Sequence, residues 1–429
     1  MKKILYVVLD GVGDLPIPQL NHKTTLQAAD IPNLDRLAQA GQSGRMYTVG
    51  QGIAPQSDVA VISILGYDPR TYYTGRGPLE TFASGLHVNP GDVALRCNFA
   101  TRGEGREIAD RRVGRTLTTE EATVLRKAVN EEVKLMSVPD SSFEYLNTVA
   151  QRGVLVLRSK DGLSGEITNV DPAYERYGKL GVAKENFEPF IQEVKPADGF
   201  ETSQQAINTA KLMNEFIEKS CEVLERHPLN KQRVEKGLLA ANLILARDAG
   251  QGLPNFPPYT EKFGLNFATF VEMPVEVGIA RLMSIHIVEL PQPSGNLGAD
   301  YELRAQMAID HLPNYDGIYI HIKGPDEPAH DGDYERKVEI NELIDKHFFG
   351  PLLKKLDMAE TIIVITADHA TPCVLKSHSD DPVPLVISGG NLTSDGTPDF
   401  SESACARGSL GTLQNGTELV PLLIRCAQV

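Results

Sequence analysis

This 429-residue sequence carries no excess of positive charge: 42 Lys and Arg stand against 57 Asp and Glu, a formal net charge of −15. A general nucleic-acid binder normally presents a basic face, so the balance argues against that class. Small anionic substrates remain open, because bound cations and local arginines can reverse the potential inside a site. No segment approaches the ~20 apolar residues of a membrane span. The N-terminus, MKKILYVVLDG, sets two lysines before an apolar run as a signal peptide does. The run is too short and leads straight into Asp10, so it reads as a first core strand. Cysteine is sparse: Cys97, Cys221, Cys373, Cys405 and Cys426 are scattered and odd in number, with no CxxC pair. They read as free thiols in a reducing cytoplasm. Internal repeats and low-complexity stretches are absent.

What is present is enough apolar material for a large core, 41% of residues, at a length that suggests two or three domains. Residues 4–9, ILYVVL, form a strand ending at Asp10-Gly11, where glycine permits a tight turn. After about residue 235 come NLILA, NFATFVEM, SIHIVEL, GIYIHIK, TIIVIT and PLVIS, with helical stretches between several of them. That alternation predicts an α/β fold with a mostly parallel sheet covered by helices on both faces. Between these parts the texture changes. An arginine-rich segment holds Arg102, Arg106, Arg111, Arg112 and Arg115, and Thr118 with Glu121 predicts a capping box for a helix to about Leu135. The short strands FEYLNTV and GVLVLRS follow, then a long helix from about Thr202 to Glu225. The expected organisation is a discontinuous core of residues 1–85 and 236–429, with an inserted α+β domain at 86–235.

Polar groups collect at strand ends, where open α/β sheets place their chemistry. The first strand ends in Asp10, GIYIHIK in Lys323 and TIIVIT in Asp368-His369. Beyond Lys323, Asp326 and His330 lie four apart and would share one face of a helix turn. His378 follows His369 by nine residues. For the Asp368-His369 pair, metal ligation, a catalytic Asp-His hydrogen bond and a plain core histidine are all open. His321, alternating with isoleucines, and His347, on an amphipathic helix, read as structural. Ser57 stands at the start of a helix in APQSDVAVISILG, either as a capping serine or as a nucleophile beside a metal. The mixed carboxylate and imidazole set suits Zn²⁺, Mn²⁺ or Co²⁺ at two adjacent sites better than an all-oxygen Ca²⁺ cage.

The ordered motifs resemble the alkaline phosphatase superfamily and, more narrowly, the archaeal-type 2,3-bisphosphoglycerate-independent phosphoglycerate mutases. The resemblance runs nearly end to end: VLDGVGD at 8–14, PQSDVAVISILGYDP at 55–69, YTGRGPLE at 73–80, GDVALRCNFAT at 91–101, KGPDEPAHDGD at 323–333 and TADHATPCVLKSHSDDPVP at 366–384. It implies a phosphoserine mechanism with Ser57 as nucleophile and two divalent ions, Mn²⁺ expected and Mg²⁺, Co²⁺ and Zn²⁺ as alternatives, without added 2,3-bisphosphoglycerate. It implies Asp10, Ser57, Asp368 and His369 on one ion and Asp326, His330 and His378 on the other. Lys323 would reach the transferring phosphate, and Arg111, Arg115 and Arg102 would bind the substrate's phosphate and carboxylate. Many relatives read R-G-A-G where this chain has Arg247-Asp248-Ala249-Gly250, which puts the backbone of that turn in question.

The reaction so implied interconverts 3-phosphoglycerate and 2-phosphoglycerate in glycolysis and gluconeogenesis, on a small phosphorylated substrate with no nucleic-acid or membrane partner. The alternatives are a homoserine-kinase-like branch of the family, a metallophosphatase or other phosphomutase on the same core, and a non-catalytic protein braced by metals. The sequence is silent on oligomeric state.

Overall fold

The computed structural model describes residues 1–184 and 186–428. The chain separates into two compact units, Met1–Tyr73 with Phe256–Val429, and Thr74–Asn255. The expected insert at 86–235 falls within the second unit, whose edges lie further out on both sides. Strand pairing explains the difference. The NLILA run, expected in the core sheet, is part of the strand Leu243–Gln251, which lies antiparallel against Val93–Arg102 in the second unit. An apolar run shows that a strand is buried but not which sheet it joins.

The first unit is built on an eight-stranded sheet. Its spatial order is His286–Ile287, Phe267–Phe270, Gly317–Ile322, Lys3–Leu9, Thr361–Thr366, Val383–Gly389, Gln42–Met46 and Gly411–Leu413. Five of the seven pairings are parallel; only Val383–Gly389 runs against its two neighbours. In the three central strands every residue from Ile4 to Leu9, Gly317 to Ile322 and Thr361 to Thr366 is buried. Both faces of the sheet are therefore covered, as continuous β-branched runs require. Tyr6 and Tyr319 meet edge to face beneath the site, ring centroids 5.3 Å apart.

The second unit is an α+β body. Val93–Arg102 pairs antiparallel with Arg152–Ser159 and Leu243–Gln251, and Arg152–Ser159 pairs with Ser141–Asn147. The helices Thr119–Glu132 and Gln204–Arg226 contribute Leu125, Val129, Phe216 and Leu224 to a separate apolar core with Leu155, Leu157 and Leu243. The capping box forms as expected, Thr118 accepting from the Glu121 amide and Glu121 from the Thr118 amide. The long helix ends at His227, where Pro228 opens a new one.

No helix among the described residues is long and apolar enough to cross a membrane. All five cysteines are buried free thiols.

Candidate active site

Register brings the site together. Leu9 pairs with Ile322 and Val8 with Thr366, so the segments carrying Asp10, Lys323 and Asp368 leave the sheet side by side. The turn after the first strand is close-packed. Gly11 has φ +61°, and a Cβ there would stand 2.6 Å from Asp326 Oδ1 and 2.7 Å from Thr371 Oγ1. Only glycine fits both the backbone angle and the space. The Gly11 amide donates to Asp368 Oδ1 at 3.1 Å, as does the His369 amide at 3.1 Å. Those two bonds occupy one carboxylate oxygen and turn Oδ2 toward the ring of His369.

Ser57 is the first residue of the helix Ser57–Ile64, after Gln56 at the N-cap position, and no side chain caps that end. Its hydroxyl is not used for capping. Ser57 Oγ lies 3.1 Å from His369 Nε2. Asp368 Oδ2 approaches the same nitrogen at 3.1 Å and Asp10 Oδ1 at 3.6 Å. In a serine–histidine–carboxylate triad the hydroxyl and the carboxylate face opposite ring nitrogens. Here all three oxygens face one nitrogen, the arrangement of ligands around a cation. Asp10 Oδ1 and Asp368 Oδ2 are buried and accept no hydrogen bond of good geometry, an expensive state for carboxylate oxygens unless positive charge sits beside them.

Asp326 and His330 share one face of the helix Asp326–Asp331, where Pro328 is tolerated in the first turn. With His378 they form a second group of converging donor atoms, and Asp326 also groups with Asp10 and His369. His330 Nε2 is 3.5 Å from Asp326 Oδ2, and His378 Nε2 is 3.6 Å from Asp326 Oδ1. The rings of His369 and His378 stack at 3.7 Å. In each histidine the other nitrogen is already engaged. His378 Nδ1 donates to the Pro55 carbonyl at 2.7 Å and His330 Nδ1 to the Lys376 carbonyl at 3.1 Å. His369 Nδ1 meets Thr371 Oγ1 at 3.0 Å, and that hydroxyl donates to Asp326 Oδ1 at 2.7 Å. A nitrogen facing a carbonyl, or a hydroxyl whose proton is spent elsewhere, must carry the hydrogen. The Nε2 lone pairs are thereby left for a metal, the usual outer-shell arrangement of ligating histidines.

The electrostatics agree. Burial raises the Asp10 carboxyl to about 6 even with Lys323 pulling the other way. Burial opposes charge on His369, but Asp368 beside it prevails and lifts the imidazole to about 9. Both shifts reflect buried negative charge that a cation would offset. Lys323 Nζ lies 2.9 Å from Asp10 Oδ2 and 2.5 Å from Glu276 Oε1, and its side chain is 23% exposed.

A model of the 2,3-bisphosphoglycerate-independent phosphoglycerate mutase family matches residues 38–230. The chain is 46% identical to such a mutase from Aeropyrum pernix over 98% of both chains, and 39% identical to one from Methanopyrus kandleri over 98% of this chain and 96% of that one. The chain belongs to this family. Among solved structures, a cofactor-independent phosphoglycerate mutase from Thermoplasma acidophilum is 32% identical over the full length of both chains, with a TM-score of 0.65. A Pyrococcus horikoshii protein is 29% identical over 100% of this chain and 97% of that one, with a TM-score of 0.78. The divalent ions that the family implies fit the residues present, since the orphaned oxygens of Asp10 and Asp368 and the Nε2 atoms converge without a partner of opposite charge large enough to satisfy them.

The three arginines expected at the substrate lie in the second unit, in different surroundings. Arg111 is held by Asp171 through two bonds of 3.0 and 2.7 Å. Arg115 is exposed at the end of a short turn, with φ +56°. Arg102 donates to the Gly105 carbonyl at 2.6 Å and faces Glu225 of the long helix at 3.5 Å, beside a cavity of about 280 Å³ shared with Arg106 and Cys221. The Arg247-Asp248-Ala249-Gly250 segment, expected as a turn, lies instead within the strand Leu243–Gln251, at a register shift opposite Ala94 and Arg96. Asp248 adopts φ +56°, a conformation aspartate tolerates better than most side chains, and its buried carboxylate lies 3.4 Å from Arg96 and 3.5 Å from Arg247. Arg247 also reaches Asp171 at 3.1 Å and stacks over Tyr174 at 4.2 Å.

Sequence reasoning missed Thr371, Glu276 and His321 in the first unit. His321, read as a structural histidine within the sheet, converges with Asp10 and Asp368. Its place one residue inside the strand end was the available signal.

Proposed function

We propose that this chain is a metal-dependent isomerase that interconverts 3-phosphoglycerate and 2-phosphoglycerate through a phosphoserine on Ser57, without added 2,3-bisphosphoglycerate. The observation that carries the reading is the convergence of Ser57 Oγ, Asp368 Oδ2 and Asp10 Oδ1 on one nitrogen of His369. Asp10, Ser57, Asp368 and His369 would hold one divalent ion, and Asp326, His330 and His378 the other. Mn²⁺ is the proposed native metal, supported by the mixed oxygen and nitrogen donors. Such ions supply charge that stabilises a transferring phosphoryl group and lowers the pKa of a nearby hydroxyl.

The chain's own residues do the rest. Ser57 Oγ forms a bond to phosphorus as the bond from phosphorus to the substrate's carbinol oxygen breaks, leaving phosphoserine and bound glycerate. The glycerate reorients, and its other hydroxyl takes the phosphoryl group back, regenerating Ser57. Water must be kept out between these events, or the phosphoserine would hydrolyse. Lys323 is the proposed donor to a phosphate oxygen, held in place by Asp10 and Glu276. Arg111 and Arg115 are the proposed grip on substrate phosphate and carboxylate. Arg102, engaged by Glu225 and the Gly105 carbonyl as Arg111 is by Asp171, is proposed with them. A reducing cytoplasm is the proposed setting, supported by the five buried free thiols.

The test is turnover of 3-phosphoglycerate coupled through enolase, with Mn²⁺ present and no bisphosphoglycerate; no activity would remove the mutase reading. Ser57→Ala should lose at least about a thousandfold in turnover. Because Ser57 does not cap its helix, stability should stay within about 0.5 kcal/mol. A variant that still turns over would show that another group is the nucleophile.

A further inference from the structure

We propose that His321 is a further ligand on the Asp10–Asp368 side of the centre, with Glu276 as the carboxylate that fixes its tautomer. The proposal rests on the two-cation reading above and adds to it a residue that the family resemblance does not assign. His321 lies in the strand Gly317–Ile322, between the first strand and Phe267–Phe270, and is 1% exposed. Its two nitrogens have different surroundings. Nδ1 lies 3.2 Å from Glu276 Oε1 and 3.4 Å from the Tyr319 hydroxyl. Nε2 lies 3.5 Å from Asp368 Oδ2 and 3.9 Å from Asp10 Oδ1. These are the two oxygens that accept no well-directed hydrogen bond and that also face His369 Nε2.

Two arguments place the lone pair on Nε2. Glu276, 1% exposed and paired with Lys323, faces Nδ1 at 3.2 Å without a well-directed hydrogen bond, and its negative charge favours the hydrogen on that nitrogen. Lys323 Nζ, 3.5 Å from Nε2, can only donate, so that nitrogen is the acceptor. His321 thus resembles His330, His369 and His378 in turning Nε2 toward carboxylate oxygens, while its Nδ1 faces Glu276 and the Tyr319 hydroxyl. A carboxylate behind an imidazole in this way both orients the ring and raises its strength as a ligand. A histidine kept only for packing has no use for two unsatisfied carboxylate oxygens beside its Nε2. The specific rival is that Lys323 alone is the cation Nε2 serves.

The experiment titrates the full-length, metal-stripped protein with Mn²⁺, following binding by calorimetry and free ion by electron paramagnetic resonance. Co²⁺ absorption is then recorded on the same proteins. The wild-type chain should take two equivalents. His321→Gln, which keeps most of the volume, should weaken one equivalent by at least tenfold and change the Co²⁺ spectrum, leaving the other equivalent at wild-type affinity. Glu276→Gln, nearly isosteric, should weaken the same equivalent by about 10–100-fold. Added imidazole should restore the Co²⁺ spectrum in His321→Gly, a rescue that loss of packing alone does not predict. The proposal is overturned if folded Glu276→Gln or His321→Gln binds both equivalents with wild-type affinity and spectrum, which is the result expected if Lys323 is the only cation served. A wild-type chain that turns over phosphoglycerate and binds two equivalents keeps the functional reading even if both variants behave as wild type. A wild-type chain that binds no divalent ion overturns both.

Discussion

At the scale of single residues, the chemistry of the centre is set less by the presence of histidines than by what holds their far nitrogens. Pro55 and Lys376 supply carbonyls, and Thr371 supplies a hydroxyl whose own proton is spent on Asp326. These partners are fixed by backbone position or by burial, so the Nε2 atoms are preorganised rather than recruited on binding. The two groups share Asp326, which His369 Nδ1 also faces at 3.9 Å, but they can be separated at Nε2, since among the described residues that of His378 meets only Asp326 while that of His369 meets Asp368 and Asp10. His378→Ala is therefore expected to weaken one Mn²⁺ equivalent by a hundredfold or more and leave the other within about threefold. Binding calorimetry checks this. Equal loss at both equivalents would mean that the two sites form as one unit, and the division of ligands would have to be redrawn.

At the scale of elements, the spacing between strand ends depends on a buried ion pair outside the ligand set. Lys337, on the helix Tyr334–Ile344, is fully buried and donates to the carbonyls of Gly13 and Thr371 at 3.2 and 2.9 Å, while facing Asp14 Oδ2 at 3.2 Å. One ammonium thus ties the turn after the first strand to the loop after Thr361–Thr366, the segments that carry Asp10 and Asp368. Lys337→Met should cost about 3–5 kcal/mol, because Asp14 would remain buried without its cation. Urea unfolding measures this, and a loss under 1 kcal/mol would show that water or local movement replaces the lysine. Much of the fold and most of the proposed ligands were legible in the sequence for a local reason. Buried parallel strands are written as continuous apolar runs, and the charged residue that ends each run marks the active edge. What was not legible depends on partners distant in the chain. The strand Leu243–Gln251 reads as a core strand until Val93–Arg102 is seen beside it. His321 reads as an ordinary sheet histidine until Glu276 arrives from a separate helix. Arg102 and Arg111 look alike in sequence, and partners brought by the fold, Glu225 for one and Asp171 for the other, distinguish them.

At the scale of the whole molecule, the proposed ligands all belong to one compact unit, although they come from positions near residues 10, 57, 326–330 and 368–378. Ions that bind the folded form of that unit stabilise it by mass action, about 2.7 kcal/mol for each site at a hundredfold excess over Kd. The second unit has its own sheet and its own apolar core, and none of the proposed ligands. Unfolding is accordingly not expected to be a single two-state event. Differential scanning calorimetry should resolve two transitions, one of which moves upward when Mn²⁺ is added and returns when a chelator removes it. For a unit of roughly 250 residues each kcal/mol is worth about 2–4 °C, so two filled sites should shift that transition by about 10–20 °C. Hydrogen exchange measured between the transitions should find the metal-dependent protection in Lys3–Leu9, Gly317–Ile322 and Thr361–Thr366, with Val93–Arg102 and Arg152–Ser159 unchanged. If both transitions moved together, or if protection rose equally in the two sheets, the ions would be stabilising the chain as a whole, and the assignment of metal binding to the first unit alone would fail.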